Sequence, residues 1–149
     1  MMRWFNTALI LAGLAVSAPV NVGGTPAARY SKPAVRRALV AVVEAQLTAL
    51  RNDDWAQAYG FAAAALQERL TIEQFAAMIQ RNYPAIWHST RADYGFIRDD
   101  DRMAWVPVRI STPTESSAYD YVLIHESGGW KIAGVLPARR TEGAAEGSL

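Results

Sequence analysis

The sequence predicts an α+β domain in which three N-terminal helices pack on a curved four-stranded antiparallel sheet. Three observations carry that expectation. Between Pro33 and Tyr83 apolar residues recur every three or four positions, as a helix with one buried face requires. From Ser89 onward the period becomes two, the spacing of strands whose successive side chains face opposite ways. Helices also come first and strands afterwards, an order that segregates helices to one side of an antiparallel sheet. At 149 residues the chain makes one domain, large enough to bury a core without staples.

The elements follow in order. Pro33 suits a helix start, and Val35, Leu39, Val42, Val43, Leu47 and Leu50 form the stripe behind it. Arg36, Arg37, Glu44 and Gln46 lie off that stripe. Asn52-Asp53-Asp54 breaks the helix and supplies a cap for the next, whose stripe is Trp55, Ala58, Tyr59 and Ala62. The small residues Ala62–Ala65 are expected against the first helix. Thr71 with Gln74 is spaced as a capping box, and Ile72, Phe75, Ala76 and Ile79 build a third helix that Pro84 stops.

Four strands are expected next. Tyr94 and Phe96 alternate with Asp93 and Gly95, and Asp99-Asp100-Asp101 reads as a turn. Ala104, Val106, Val108 and Ile110 alternate with Met103, Trp105, Pro107 and Arg109. Pro107 within a strand calls for a bulge or an exposed edge, and a sheet curved over the first helix would use such a bulge. Ser117–Ile124 and Gly129–Leu136 form the last pair, joined by His125-Glu126-Ser127-Gly128.

The N-terminus has the layout of a secretory signal. Arg3 precedes an apolar run from Ala8 to Val16, and Ala15-Val16-Ser17 places small residues where a signal peptidase reads. The expected organisation is a signal peptide over 1–17, a flexible Gly/Pro/Ala-rich lead-in over 18–32, the folded domain over 33–137 and a polar tail over 138–149. The rival is an uncleaved anchor from Trp4 to Val22, interrupted by Asn6, Pro19 and Asn21 where about 20 mostly apolar residues are needed. Removal of the signal gives a protein of the periplasm or the exterior, with no membrane attachment.

Composition excludes several classes. The chain has no cysteine, which rules out disulfides, thiol catalysis, cysteine-based zinc sites and a lipid-modified N-terminal cysteine. Its formal charge is +1 with basic residues scattered, so no nucleic-acid track is expected. No Gly-rich phosphate loop is present, and no cofactor is implied.

Gln46-Leu47, Leu50-Arg51, Asp53-Asp54 with Ala58-Tyr59, Phe75, Met78-Ile79, Tyr83-Pro84, Tyr119, Tyr121 and Gly129-Trp130-Lys131-Ile132-Ala133-Gly134-Val135 follow one another in a meaningful order. In that order they resemble the nuclear transport factor 2-like, cystatin-like cone. Within that superfamily the chain is similar to a family of exported bacterial proteins, the domain of unknown function numbered 4864. The resemblance runs from Val35 to Leu136. It implies a cone whose site lies in the wide mouth between sheet and helices, and it assigns no catalytic residue. The cone hosts isomerases, dehydratases, binding modules and assembly domains, so fold alone does not fix function.

On that layout Tyr59, Tyr83, Trp87, Tyr94, Trp105, Arg109, Tyr119, Tyr121 and Trp130 are the candidate pocket residues. Aromatic walls with a few polar groups suit a small apolar ligand, although the same aromatics also serve as core filling. Tyr83, Trp87, Tyr94, Trp105 and Arg109 are expected in one cavity, with Arg109 meeting an acidic head. Trp130 is expected in the core, joining the last strand to the first helix.

Other chemistry is weaker. Asp120 alternates away from Tyr119 and Tyr121, as a solvated strand position does, and could reach Tyr94 only across strands. His88 beside Ser89 is a lead for nucleophilic catalysis with no evident acid to complete it. Asp99-Asp100-Asp101 lacks the ligand count of a calcium loop. The functional expectation is a non-catalytic module binding a small apolar, acid-headed ligand or a partner protein. The alternatives are a cofactor-independent lyase or isomerase in the same pocket, and a structural homodimer.

Overall fold

The computed structural model describes residues 27–138. The expected signal, most of the lead-in and most of the tail lie outside them. The described elements are β1 (Arg29–Tyr30), α1 (Pro33–Arg51), α2 (Trp55–Gly60), α3 (Ala64–Arg69), α4 (Ile72–Asn82), α5 (Pro84–Trp87), β2 (Arg91–Tyr94), β3 (Arg98–Asp99), β4 (Met103–Ser111), β5 (Ser116–Glu126) and β6 (Gly129–Pro137). The class is α+β, with the helices lying in sequence between the edge strand β1 and the other strands of one antiparallel sheet.

Counts differ from expectation, each for a local reason. Pro84 does end α4, but it also sits at the first position of α5, where its missing N–H is harmless. The alanine run does not pack on α1. Instead Ile132 N–H donates to the Phe61 carbonyl (2.8 Å) and Ala63 N–H to the Ile132 carbonyl (2.8 Å). This short pairing covers part of the free edge of β6, and α3 begins directly after it with Ala64 N–H bonded to Glu126 Oε2 at 2.9 Å. Arg29 and Tyr30, expected in the lead-in, pair with Asp99 and Arg98 as an edge strand.

Other local expectations hold. Asp54 caps α2 by accepting from Gln57 N–H at 3.1 Å. Thr71 and Gln74 make both bonds of a capping box. The two-residue Ser127-Gly128 turn closes the last hairpin, with Gly129 at φ +115°, a conformation that favours glycine.

The sheet runs β1-β3-β4-β5-β6, and β2 pairs with β4 along the same edge as β3. The break between β2 and β3 lies opposite Pro107. Gly95 N–H donates to the Pro107 carbonyl at 2.9 Å, and a Cβ on Gly95 would lie 3.3 Å from Pro107 Cγ. The proline thus sits inside β4 where its neighbour strand is interrupted, so its missing donor orphans no ladder acceptor. A second irregularity shifts the β5–β6 register between Val122 and Leu123.

One sheet face carries the main core. Leu39, Val43, Leu47 and Leu50 of α1 pack with Val106, Val108, Ile110, Tyr121 and Leu123. Gln46, off the apolar stripe, is nonetheless buried. Its Nε2 donates to the Ala58 carbonyl at 3.1 Å and ties α1 to α2.

Candidate functional site

The nine aromatic and cationic candidates separate into four places. Tyr83, Tyr94, Tyr119 and Tyr121 gather on the inner sheet face. Tyr94 and Tyr119 flank Val108 in one cross-strand row, and the Tyr83 and Tyr119 rings lie 6.4 Å apart. Tyr94 Oη donates to Glu44 Oε2 at 2.6 Å, while Tyr83 Oη donates to the Val135 carbonyl at 3.3 Å. Burial, and then the bond to Glu44, push the Tyr94 phenol up. Burial alone does most of the same for Tyr121, which is fully buried and whose hydroxyl has no hydrogen-bond partner among the described residues. Burial also raises Tyr119.

Trp105 and Arg109 are not with them. On β4 the buried positions are Ala104, Val106, Val108 and Ile110, and Trp105 (37% exposed) and Arg109 point to the opposite face. The expectation of one shared cavity is therefore corrected. Both alternating sets on β4 contain apolar residues, and the helices cover the set of small aliphatic ones, which lets α1 approach closely.

Tyr59 and Trp130 serve packing. Tyr59 Oη donates to the Gln67 and Leu70 carbonyls, and its ring meets Phe75 edge-on at 5.6 Å. Trp130 is half-buried against the core and stacks on His125, the residue it pairs with, at 4.6 Å.

Trp87 lines an open cleft, and Tyr94 reaches a smaller hollow beside Tyr30 and Phe96. The cleft, of about 760 Å³, lies at the C-terminal end of α1 and is formed by Arg51, Asp53, Trp87, His88, Ser89, Thr90 and Pro113. Asn52-Asp53-Asp54 ends the helix, and Asp53 adopts φ +55°, a left-handed turn that Asp tolerates. That turn aims Asp53 Oδ1 at Trp87 Nε1, which donates to it at 2.8 Å. The His88 ring lies 4.1 Å from the Trp87 ring at 31°, so the two stack, tilted, on one wall of the cleft.

Arg51 crosses the cleft from the helix end. Its Nε donates to the Ser89 carbonyl at 2.8 Å and to Ser89 Oγ at 3.1 Å. Its two terminal amino groups make no hydrogen bond or ion pair among the described residues. A guanidinium held by its Nε presents a planar fork of donors matched to a carboxylate. Ser89 is buried and engaged with Arg51, and His88 is engaged with Trp87, so the pair is not arranged as nucleophile and base. Among the described residues, no group of three or more His, Asp or Glu side chains is placed to hold a metal.

Sequence reasoning picked Trp87 and noticed His88-Ser89, but missed Arg51 and Asp53. The signal for Arg51 was its place at the last turn of a long helix, directly before the Asn-Asp-Asp break.

The family described as Domain of unknown function (DUF4864) matches residues 33–145. The chain belongs to that family. No curated protein and no solved structure matches it. The DUF4864 match spans every element that builds the cleft, from α1 through the β4–β5 connection.

Proposed function

We propose that this DUF4864 domain is an exported, non-catalytic binding module whose cleft takes a small compound with an acidic head and a flat apolar body. One observation carries the proposal: the guanidinium of Arg51, anchored through Nε with its terminal amino groups unpaired, stands beside the Trp87–His88 wall. The fork supplies charge and direction, and the rings supply stacking area. The acid-headed ligand expected from the sequence thus finds its cation at Arg51, on the helix side, and not at Arg109. The fold reading is a nuclear transport factor 2-like cone. Its support is the helical layer on the inner sheet face, the strand break opposite Pro107 and the bulge at Val122/Leu123. Export rests on Arg3, the Ala8–Val16 run and the small residues that follow.

Titration with aromatic and fatty carboxylic acids, followed by tryptophan fluorescence, tests the cleft. Quenching should disappear in Trp87→Phe. Affinity should fall about tenfold or more in Arg51→Gln, equivalent to about 1.4 kcal/mol. Equal affinity in wild type and Arg51→Gln would remove the anion role, and absence of quenching by every such acid would remove the ligand.

A further inference from the structure

Three of the four large apolar side chains exposed among the described residues fall together on the outer face of the sheet. Tyr30 is 71% exposed, Phe96 82% and Trp105 37%. The register explains why they meet. Tyr30 pairs with Arg98 and Arg98 with Trp105, so the three form one cross-strand row, and the Phe96 ring lies 5.8 Å from that of Tyr30. Isolated exposed aromatics need no explanation, but a contiguous group does.

Cations accompany the group. Arg98 sits within the row, Arg36 lines one hollow with Tyr30 and Phe96 while donating to the Gly95 carbonyl at 2.8 Å, and Lys32 and Arg37 flank Arg36 along the chain. These last three occupy the start of α1, which has no acidic residue in its first turn. Cations at that end oppose the helix dipole, so helix stability does not account for them. Nearby acids are already engaged. Arg29 holds Asp101 at 2.7 Å, and Ser31 donates to buried Asp99. Among the described residues Lys32, Arg37 and Arg98 have no ion-pair partner.

We infer that this face docks on an anionic phospholipid surface. Amphipathic rings and long basic side chains together are the chemistry of the bilayer interface, where rings enter the headgroup layer and cations meet phosphate. A second copy fits less well, because a two-fold contact through the Tyr30–Arg98–Trp105 row would bring the same cations against each other.

The absence of cysteine makes the test clean. In the full chain, Phe96→Cys carries a solvatochromic dye in the patch, and Thr114→Cys, at the other end of β4, carries it as a control. On vesicles of phosphatidylcholine with one-third phosphatidylglycerol the dye at 96 should shift to the blue and the dye at 114 should not. The shift should vanish in high salt and on pure phosphatidylcholine. Lys32→Gln with Arg98→Gln should weaken binding about 25-fold, at about fivefold per cation near a charged surface. No shift at 96 overturns the inference, and so does an equal shift at both positions or on neutral lipid, which would mean the N-terminal run inserts by itself. A shift that grows with protein concentration without vesicles also overturns it, assigning the face to a second copy.

Discussion

Tyr119, Tyr121 and Leu123 turn to one side of β5, and Asp120, Val122 and Ile124 to the other. The two sides of this strand meet different surroundings. On the inner side Tyr121 and Leu123 are fully buried under α1, and hydroxyls nearby are bonded, Tyr94 to Glu44 and Tyr83 to Val135. On the outer side no residue of β4 or β5 from Met103 to Arg109 or from Ala118 to Ile124 is fully buried, and Trp105 and Arg109 stand open. One pleated backbone therefore supports a dry core and a surface mixed in character. The difference is set by where the α1 stripe docks, since strand alternation supplies two faces and does not choose between them.

The largest expected effect contrasts the two faces directly. Tyr121→Ala should destabilise the domain by about 3–5 kcal/mol, the range for truncating a buried aromatic, whereas Trp105→Ala should cost under about 1 kcal/mol. Urea denaturation of both variants measures the gap. Comparable losses would mean that Trp105 is covered in solution by another molecule.

That contrast marks how far the sequence could be read. The α1 stripe, the Thr71 capping box, the Asp54 cap and the last hairpin were legible because each rests on spacing within a few residues. Pro107 announced the irregularity, but not that it would lie in the neighbouring strand, since a proline signals only its own missing donor. The short α3 and α5 and the edge strand β1 were not legible. Ala62–Ala65 has the propensity of any helix, and its pairing with Ile132 depends on a residue about seventy positions away. Trp105 and Arg109 were assigned to the wrong face for the same reason. Arg51 went unnoticed because a basic residue in a last helical turn is ordinary, and only its bond to Ser89 gives it direction.

Trp130 lies between the two extremes. Half-buried and stacked on His125, it should lose about 1.5–3 kcal/mol on truncation to alanine, less than a fully buried ring. A loss equal to that of Tyr121→Ala would place it in the core proper. A still smaller and opposite change is expected for Tyr121→Phe. Its hydroxyl is buried without a partner among the described residues, so removing it should leave stability within about 0.5 kcal/mol of wild type or raise it. A loss above about 1 kcal/mol would show that the hydroxyl is hydrogen-bonded in solution.

The smallest effect belongs to the outer face. Asp120 is partly desolvated among Pro107, Val122 and Leu136, and this raises its carboxyl above the ordinary range. An acid whose folded pKa is raised holds its proton more tightly in the native state. Its favourable contribution is complete below the ordinary carboxylate value and is lost as pH rises through the folded one. Asp120→Asn, which cannot ionise, should therefore melt slightly higher than wild type at neutral pH. The difference should close as pH falls below the usual carboxyl range, where both side chains are neutral. Thermal melts of the two proteins across that interval decide the point. If Asp120→Asn melts lower at neutral pH, the carboxylate has a cationic partner in solution. Arg109, diagonal to it on the same face and without an ion pair among the described residues, is the first side chain to replace in a double-mutant cycle.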